Sequence, residues 1–128
     1  MSLEIYQEMI LEHYKNPVNC GILSDIDVVA KDYNPSCGDA IEIQIKFDDG
    51  KINEIKFQGQ GCAISLSSVD ILIDLVKNKS IEEVKNLTAE DFLKTLGIEL
   101  SPLRLKCALL GLKTLKTAVY TFLGSEIK

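Results

Sequence analysis

The segment from Ile41 to Phe57 constrains the fold of this chain more than any other. Ile41, Ile43, Ile45 and Phe47 alternate with Glu42, Gln44 and Lys46, which puts one set on each face of a strand. Asp49-Gly50 follows, a pair that tolerates positive φ in a tight turn, and Ile52, Ile55 and Phe57 return as the partner strand. The longer step from Ile52 to Ile55 breaks the alternation and predicts a bulge near Asn53. Such a hairpin is antiparallel, core on one face and wet on the other, and its apolar face needs a cover of helices.

The rest of the chain supplies that cover. Leu3, Tyr6, Ile10 and Tyr14 recur at helical spacing, so residues from about 3 to 15 read as an amphipathic helix that Asn16-Pro17 stops. Ile26, Val28 and Ala30 alternate weakly and read as a first strand. After Gly61 the period becomes helical: Leu66, Val69, Leu72, Ile73 and Val76 form a stripe, and Ile64, Ile71 and Leu75 add apolar surface elsewhere, so this helix is largely buried. Ser80 ahead of Glu82 and Glu83, and Thr88 ahead of Glu90 and Asp91, each open a short helix, and Gly97 ends the second. The last helix begins near Pro102 and runs to about Leu123. The expected class is α+β, a small three-stranded antiparallel sheet with helices packed on one face. A chain of 128 residues fits a single domain over positions 1–128.

Charge narrows the partners. With 14 Lys and Arg against 19 Asp and Glu, the net charge is −5, which counts against nucleic acid or an anionic membrane surface, because both reward clustered positive charge. No apolar run approaches the roughly 20 residues of a membrane span, and the first residues carry glutamates rather than a basic start. The chain reads as cytoplasmic, and in a reducing compartment its four cysteines point to metal binding or thiol chemistry rather than disulfides.

Three of those cysteines stand in informative contexts. Cys37 lies in Asn34-Pro35-Ser36-Cys37-Gly38-Asp39, a turn just before the clearest strand, where Pro and Gly hold the backbone and two ligand types share it. Cys62 follows Gly59-Gln60-Gly61 at the start of the buried helix, where the helix dipole and free amides favour a thiolate. The antiparallel hairpin returns the chain so that Cys37, Asp39 and Cys62 converge. Cys107 falls in the first turns of the last helix, more than about 100° from the stripe of Leu105, Leu109, Leu112, Leu115, Val119 and Phe122, so core packing does not account for it. Lys106 and Arg104 bring positive charge beside it. Cys20 sits in the Asn16–Gly21 loop without a ligand neighbour and reads as incidental. His13, the one histidine, lies on the polar side of the first helix near its C-terminus, where a cation is favoured without any metal. The spacings among Cys37, Cys62 and Cys107 are far from the short pairs of zinc ribbons, so the contexts and not the spacing carry the signal.

Laid out this way, the sequence resembles the U-type iron-sulfur cluster scaffold family, which comprises IscU, SufU and the N-terminal domain of NifU. The resemblance covers nearly the whole chain, through His13-Tyr14-Lys15-Asn16-Pro17 with Asn19 and Gly21, Pro35-Ser36-Cys37-Gly38-Asp39, Gly59-Gln60-Gly61-Cys62-Ala63-Ile64-Ser65 and Leu105-Lys106-Cys107. It implies a SufE/NifU-like fold and a site of Cys37, Asp39, Cys62 and Cys107 that binds metal and a transient [2Fe-2S] cluster. Sulfur would come from a cysteine desulfurase and iron from a donor, the cluster would pass to apo-proteins, and a zinc or iron ion would occupy the cluster-free form. One hard carboxylate among soft thiolates should hold a cluster less tightly than four thiolates would, as a transfer function requires.

The resemblance has two branches. IscU proteins usually carry His before the third cysteine, within a Leu-Pro-Pro-Val-Lys segment recognised by a chaperone, where this chain has Lys106 after Leu100-Ser101-Pro102-Leu103-Arg104-Leu105. A basic residue there resembles SufU, whose members include zinc-containing sulfurtransferases, yet the stretch from Cys62 to Cys107 leaves little room for the insertion SufU proteins usually carry. In the sulfurtransferase reading Cys107 is the first choice of persulfide acceptor. Lys106 cannot ligate a metal while protonated, so its role is electrostatic, towards Cys107 or paired with Asp39.

Overall fold

The computed structural model describes residues 3–35 and 38–126; Cys37 lies outside them. Helix α1 (Leu3–Lys15) leads into a sheet of β1 (Val28–Asn34), β2 (Asp39–Asp48) and β3 (Lys51–Gln60), and α2 (Ala63–Val76), α3 (Ile81–Asn86), α4 (Ala89–Leu96) and α5 (Pro102–Glu126) follow. The sheet is antiparallel in the order β1-β2-β3. It is the expected α+β arrangement of three antiparallel strands with helices against one face.

The β2-β3 hairpin forms for the reasons its sequence gives. Asp49 and Gly50 take φ of 52° and 74°, so the two-residue turn has the primed geometry whose twist matches the strands. Lys46 pairs with Glu54 and Phe47 with Ile52, which leaves Asn53 as the extra residue of the bulge. Ile41, Ile43, Ile45, Ile55 and Phe57 are buried on the helix side.

The opposite face of the sheet is only partly wet. The loop after α1 folds back along β3, with Phe57 N–H donating to Asn19 O at 3.0 Å and Gly21 N–H to Phe57 O at 2.9 Å. Leu23 N–H then donates to Gln44 Oε1 at 2.8 Å, which explains why Gln44, on the polar register of β2, is 3% exposed. β1 departs from its expected extent: Ile26 precedes it and is exposed, while pairing with β2 continues to Asn34 opposite Asp39. Polar Lys31 and Asp32 hid this continuation, and their ion pairs with Glu42 and Lys113 hold it in place.

Helix α2 is the centre of the helical layer. Ten of its 14 residues are buried, because α1 packs on one side of it and α5 and β3 on others. Ser80 caps α3 through a reciprocal capping box with Glu83, and Thr88 caps α4 through Asp91 N–H. α5 runs the length of the sheet, from Cys107 at one end to Phe122 at the other, whose ring stacks on Phe47 with centroids 4.2 Å apart.

The position of Cys107 corrects the helical-wheel reading. Cys107 is 2% exposed and belongs to the core. The buried face of α5 is drawn by small residues, Ala108, Gly111, Thr114 and Ala118, together with Leu110, Leu112 and Leu115. At about 100° per residue that face is centred within about 40° of Cys107. A stripe drawn through leucines alone points elsewhere because small residues mark where this helix packs tightly, as Gly111 does on Val69 of α2. A Cβ on Gly111 would lie 3.0 Å from Cβ and Cγ2 of Val69.

Candidate metal centre

Three elements meet at one end of the sheet. The turn between β1 and β2 closes with Gly38 N–H donating to Asn34 O at 2.9 Å, and Gly38 takes a φ of 73° that an L side chain rarely adopts. Asp39, the first residue of β2, then points to the helix side with the buried isoleucines and is fully buried. Its Oδ1 accepts the backbone N–H of Cys62 at 2.9 Å.

Cys62 is the N-cap of α2, and its own side chain caps nothing. The thiol is therefore left to other partners, with Sγ 3.8 Å from Ser65 Oγ, while the Ser65 hydroxyl donates to Cys62 O at 3.1 Å. Gly61 is required by close approach: a Cβ there would run into Asp39 Oδ1 and lie 2.6 Å from Ser65 Oγ. Any side chain at Gly61 would wedge the carboxylate away from the helix start.

Cys107 reaches the same place from α5. One ligand atom each from Asp39, Cys62 and Cys107 lie within 4.8 Å of one another. Asp39 and Cys107 are buried and Cys62 is half-buried. Asp39 Oδ2 is buried without a hydrogen-bond partner among the described residues. A buried carboxylate oxygen left without a donor costs about 1–3 kcal/mol or more, and a cation is one group that would satisfy it. Two soft sulfurs and one hard oxygen at this spacing suit a tetrahedral divalent ion such as zinc, with one further place for a ligand.

The other sequence expectations divide. Cys37 lies outside the described residues. Lys106 is exposed on α5 and makes no ion pair with Asp39 or any other acid among the described residues. Cys20 is exposed, bridges to Phe57 on β3, and belongs to no ligand cluster.

His13 is less solitary than its sequence position suggests. Its Nδ1–H donates to Asp70 Oδ2 at 2.6 Å, and Asp70 is fully buried within α2. Asn19 N–H donates to Asp70 Oδ1 at 2.9 Å, and Asn19 Nδ2–H reaches Asp70 O and Asp74 Oδ1. The missed signal was an acid inside the apolar run Val69-Asp70-Ile71-Leu72-Ile73, since a buried carboxylate must find partners.

Comparison with known proteins agrees with this fold. The chain is 38% identical over 128 residues to the iron-sulfur cluster assembly scaffold protein IscU of Aquifex aeolicus, covering 98% of this chain and 80% of that one. It is 33% identical to the zinc-dependent sulfurtransferase SufU of Bacillus subtilis, covering 90% of this chain and 89% of the relative. A crystal structure from Fervidobacterium islandicum, described as an iron-sulfur cluster assembly scaffold protein for the SUF system, superposes with a TM-score of 0.78 at 31% identity, covering 93% of this chain and 99% of that one. The family model described as the NifU-like N terminal domain matches residues 5–128, and the chain belongs to that family.

Proposed function

We propose that this chain is a scaffold on which a [2Fe-2S] cluster is assembled from iron and desulfurase-derived sulfur and then passed to apo-proteins. The observation that carries the reading is Asp39 Oδ2, buried without a partner beside the thiols of Cys62 and Cys107. In this reading residues 1–128 act as one domain in the cytoplasm, and Cys37, Asp39, Cys62 and Cys107 bind the cargo. A zinc or iron ion occupies the same residues before the cluster is built.

Each residue has a definable part. Asp39 ties β2 to the start of α2 through Cys62 N–H and offers its second oxygen as the hard ligand that lets the cluster leave. Cys62 is the more accessible thiol. Cys107 is buried, so access of cargo to its thiol requires the first turns of α5 to give way; Leu103 and Arg104, exposed at that end, hold them only lightly. Lys106, next to Cys107, supplies positive charge against the anionic cargo. The partners are a cysteine desulfurase, an iron donor and apo-protein acceptors. No helix among the described residues is long and apolar enough to cross a membrane.

The similarity to SufU over most of both chains supports a second reading, a zinc-dependent sulfurtransferase. There the Cys107 thiolate attacks the terminal sulfur of the desulfurase persulfide, the donor S–S bond breaks, and the donor cysteine leaves as thiolate. Anaerobic reconstitution with iron, cysteine and a desulfurase separates the two, read by visible absorption and metal analysis. The scaffold reading expects a bound cluster. Retained zinc with no cluster, together with faster desulfurase turnover, would sink it in favour of the sulfurtransferase.

A further inference from the structure

A second ligand cluster lies where α1 and the loop after it meet α2, built from nitrogen and oxygen donors alone. His13 Nδ1, Asp70 and Asp74 each place a ligand atom within 4.8 Å of the others. Asp70 is fully buried, the His13 side chain is 21% exposed and that of Asp74 44%, so the cluster has a closed floor and an open mouth. Asn19 closes one side. It is fully buried, its Nδ2 donates to Asp70 O at 3.1 Å and to Asp74 Oδ1 at 2.9 Å, and its Oδ1 has no hydrogen-bond partner among the described residues.

We propose that His13, Asp70, Asp74 and Asn19 form a site for a divalent first-row transition-metal ion. Two observations argue for a cation rather than a purely structural knot. Asp70 and Asp74 are like charges one helical turn apart, an unfavourable pair that a divalent ion between them reverses. Asn19, fully buried, faces the cluster through Nδ2 while its Oδ1 has no partner among the described residues, and a rotation about its last bond turns that oxygen to Asp74 in exchange for the two Nδ2 bonds. Lys77 competes for Asp74, with its Nζ 3.5 Å from Asp74 Oδ1 at the exposed mouth, where a surface ion pair contributes little.

Loading requires a small movement. His13 Nδ1 and Asp70 Oδ2 are 2.6 Å apart, and two ligands on one tetrahedral ion sit about 3.3 Å apart. The partly exposed imidazole can swing by that difference, and its Nδ1 proton leaves to solvent as the ion enters. One imidazole, two carboxylates and an amide oxygen form a harder set than the thiol centre, suited to ferrous, manganous or zinc ions. The site does not depend on the cluster reading.

Because His13 is the only histidine, its ring resonances report this cluster alone. The experiment is an anaerobic titration of the metal-free full chain with Co2+, followed by proton NMR of the imidazole and by visible absorption. Cobalt is expected to shift and broaden the His13 ring signals in a phase separate from the thiolate-to-cobalt charge-transfer band. Asp74→Asn, a nearly isosteric change at a half-exposed position that keeps an acceptor oxygen for Asn19, should weaken the imidazole phase by about tenfold or more and leave the charge-transfer band unchanged. His13→Gln should remove one bound equivalent. The proposal is overturned if the ring signals stay fixed while the charge-transfer band saturates, or if Asp74→Asn titrates like the parent chain. Loss of the charge-transfer band would instead count against the thiol centre.

Discussion

The tight contact of Gly111 with Val69, between the two helices that carry the thiols, is a test of how tightly the metal centre is built. Val69 lies two turns after Cys62 on α2, and Gly111 lies one turn after Cys107 on α5. A Cβ added at Gly111 would sit 3.0 Å from Val69 Cβ and Cγ2 and 3.3 Å from its Cα. Relaxed carbon contacts are about 3.5–4.0 Å, so Gly111→Ala must part the helices by about half an ångström. Alanine gains about 1 kcal/mol over glycine in a helix interior, while overpacking costs about 1–3 kcal/mol. The net expectation is a loss of about 1 kcal/mol, or about 4 °C in Tm for a chain of this size. Metal binding should suffer more, because ligand distances must be held within about 0.2 Å. Urea unfolding of the metal-free protein and chelator competition for zinc measure the two effects separately. A variant stabilised by about 1 kcal/mol with undiminished zinc affinity would refute the reasoning, since it would mean that the Gly111–Val69 contact sets neither helix spacing nor thiol geometry.

Three further outcomes follow from the same structure. Gly61→Ala should weaken zinc binding by about tenfold or more by pushing Asp39 from Cys62 N–H, as chelator competition would show; unchanged affinity would contradict the close approach. Asp39→Ala should slow transfer of a reconstituted cluster to an apo-protein several-fold, measured by absorbance or circular dichroism of the acceptor, and faster loss would remove the hard-ligand argument. Glu83 has its carboxyl held below the usual range by the backbone N–H of Ser80 in the capping box. Its contribution is therefore present above the unfolded-state pKa and disappears as pH falls through the folded-state value. The stability difference between the parent and Glu83→Gln should shrink on acidification, and a difference that grows would reverse that sign.

The readings that succeeded rest on short-range rules. The Asp49-Gly50 turn, the bulge at Asn53, the caps at Ser80 and Thr88 and the start of α5 at Pro102 depend only on neighbours in sequence, so a few residues encode each. The convergence of Asp39 with Cys62 followed from hairpin geometry alone. The burial of Cys107 escapes a wheel because the face of α5 is chosen by what packs on it, and tight packing on α2 favours glycine and alanine where a wheel counts leucines. The His13–Asp70 bond was invisible for the same reason: it joins elements far apart in the chain, and the sequence displays only an acid with no evident reason to be buried. β1 runs longer than its apolar residues because Lys31 pairs with Glu42 across the sheet and Asp32 with Lys113 of α5, contacts that hydrophobic alternation does not mark.

The stranded oxygen of Asp39 also bears on the lifetime of the protein. An acceptor buried with no donor among the described residues raises the free energy of the closed, empty molecule by about 1–3 kcal/mol. Any cation that enters removes that burden, so occupancy and folding are linked by mass action. Under the proposed metal binding, loss of metal would shift the population towards openings around the start of α2 and the first turns of α5. If metal occupies this site as proposed, loading would protect the chain against proteases that meet the open form first.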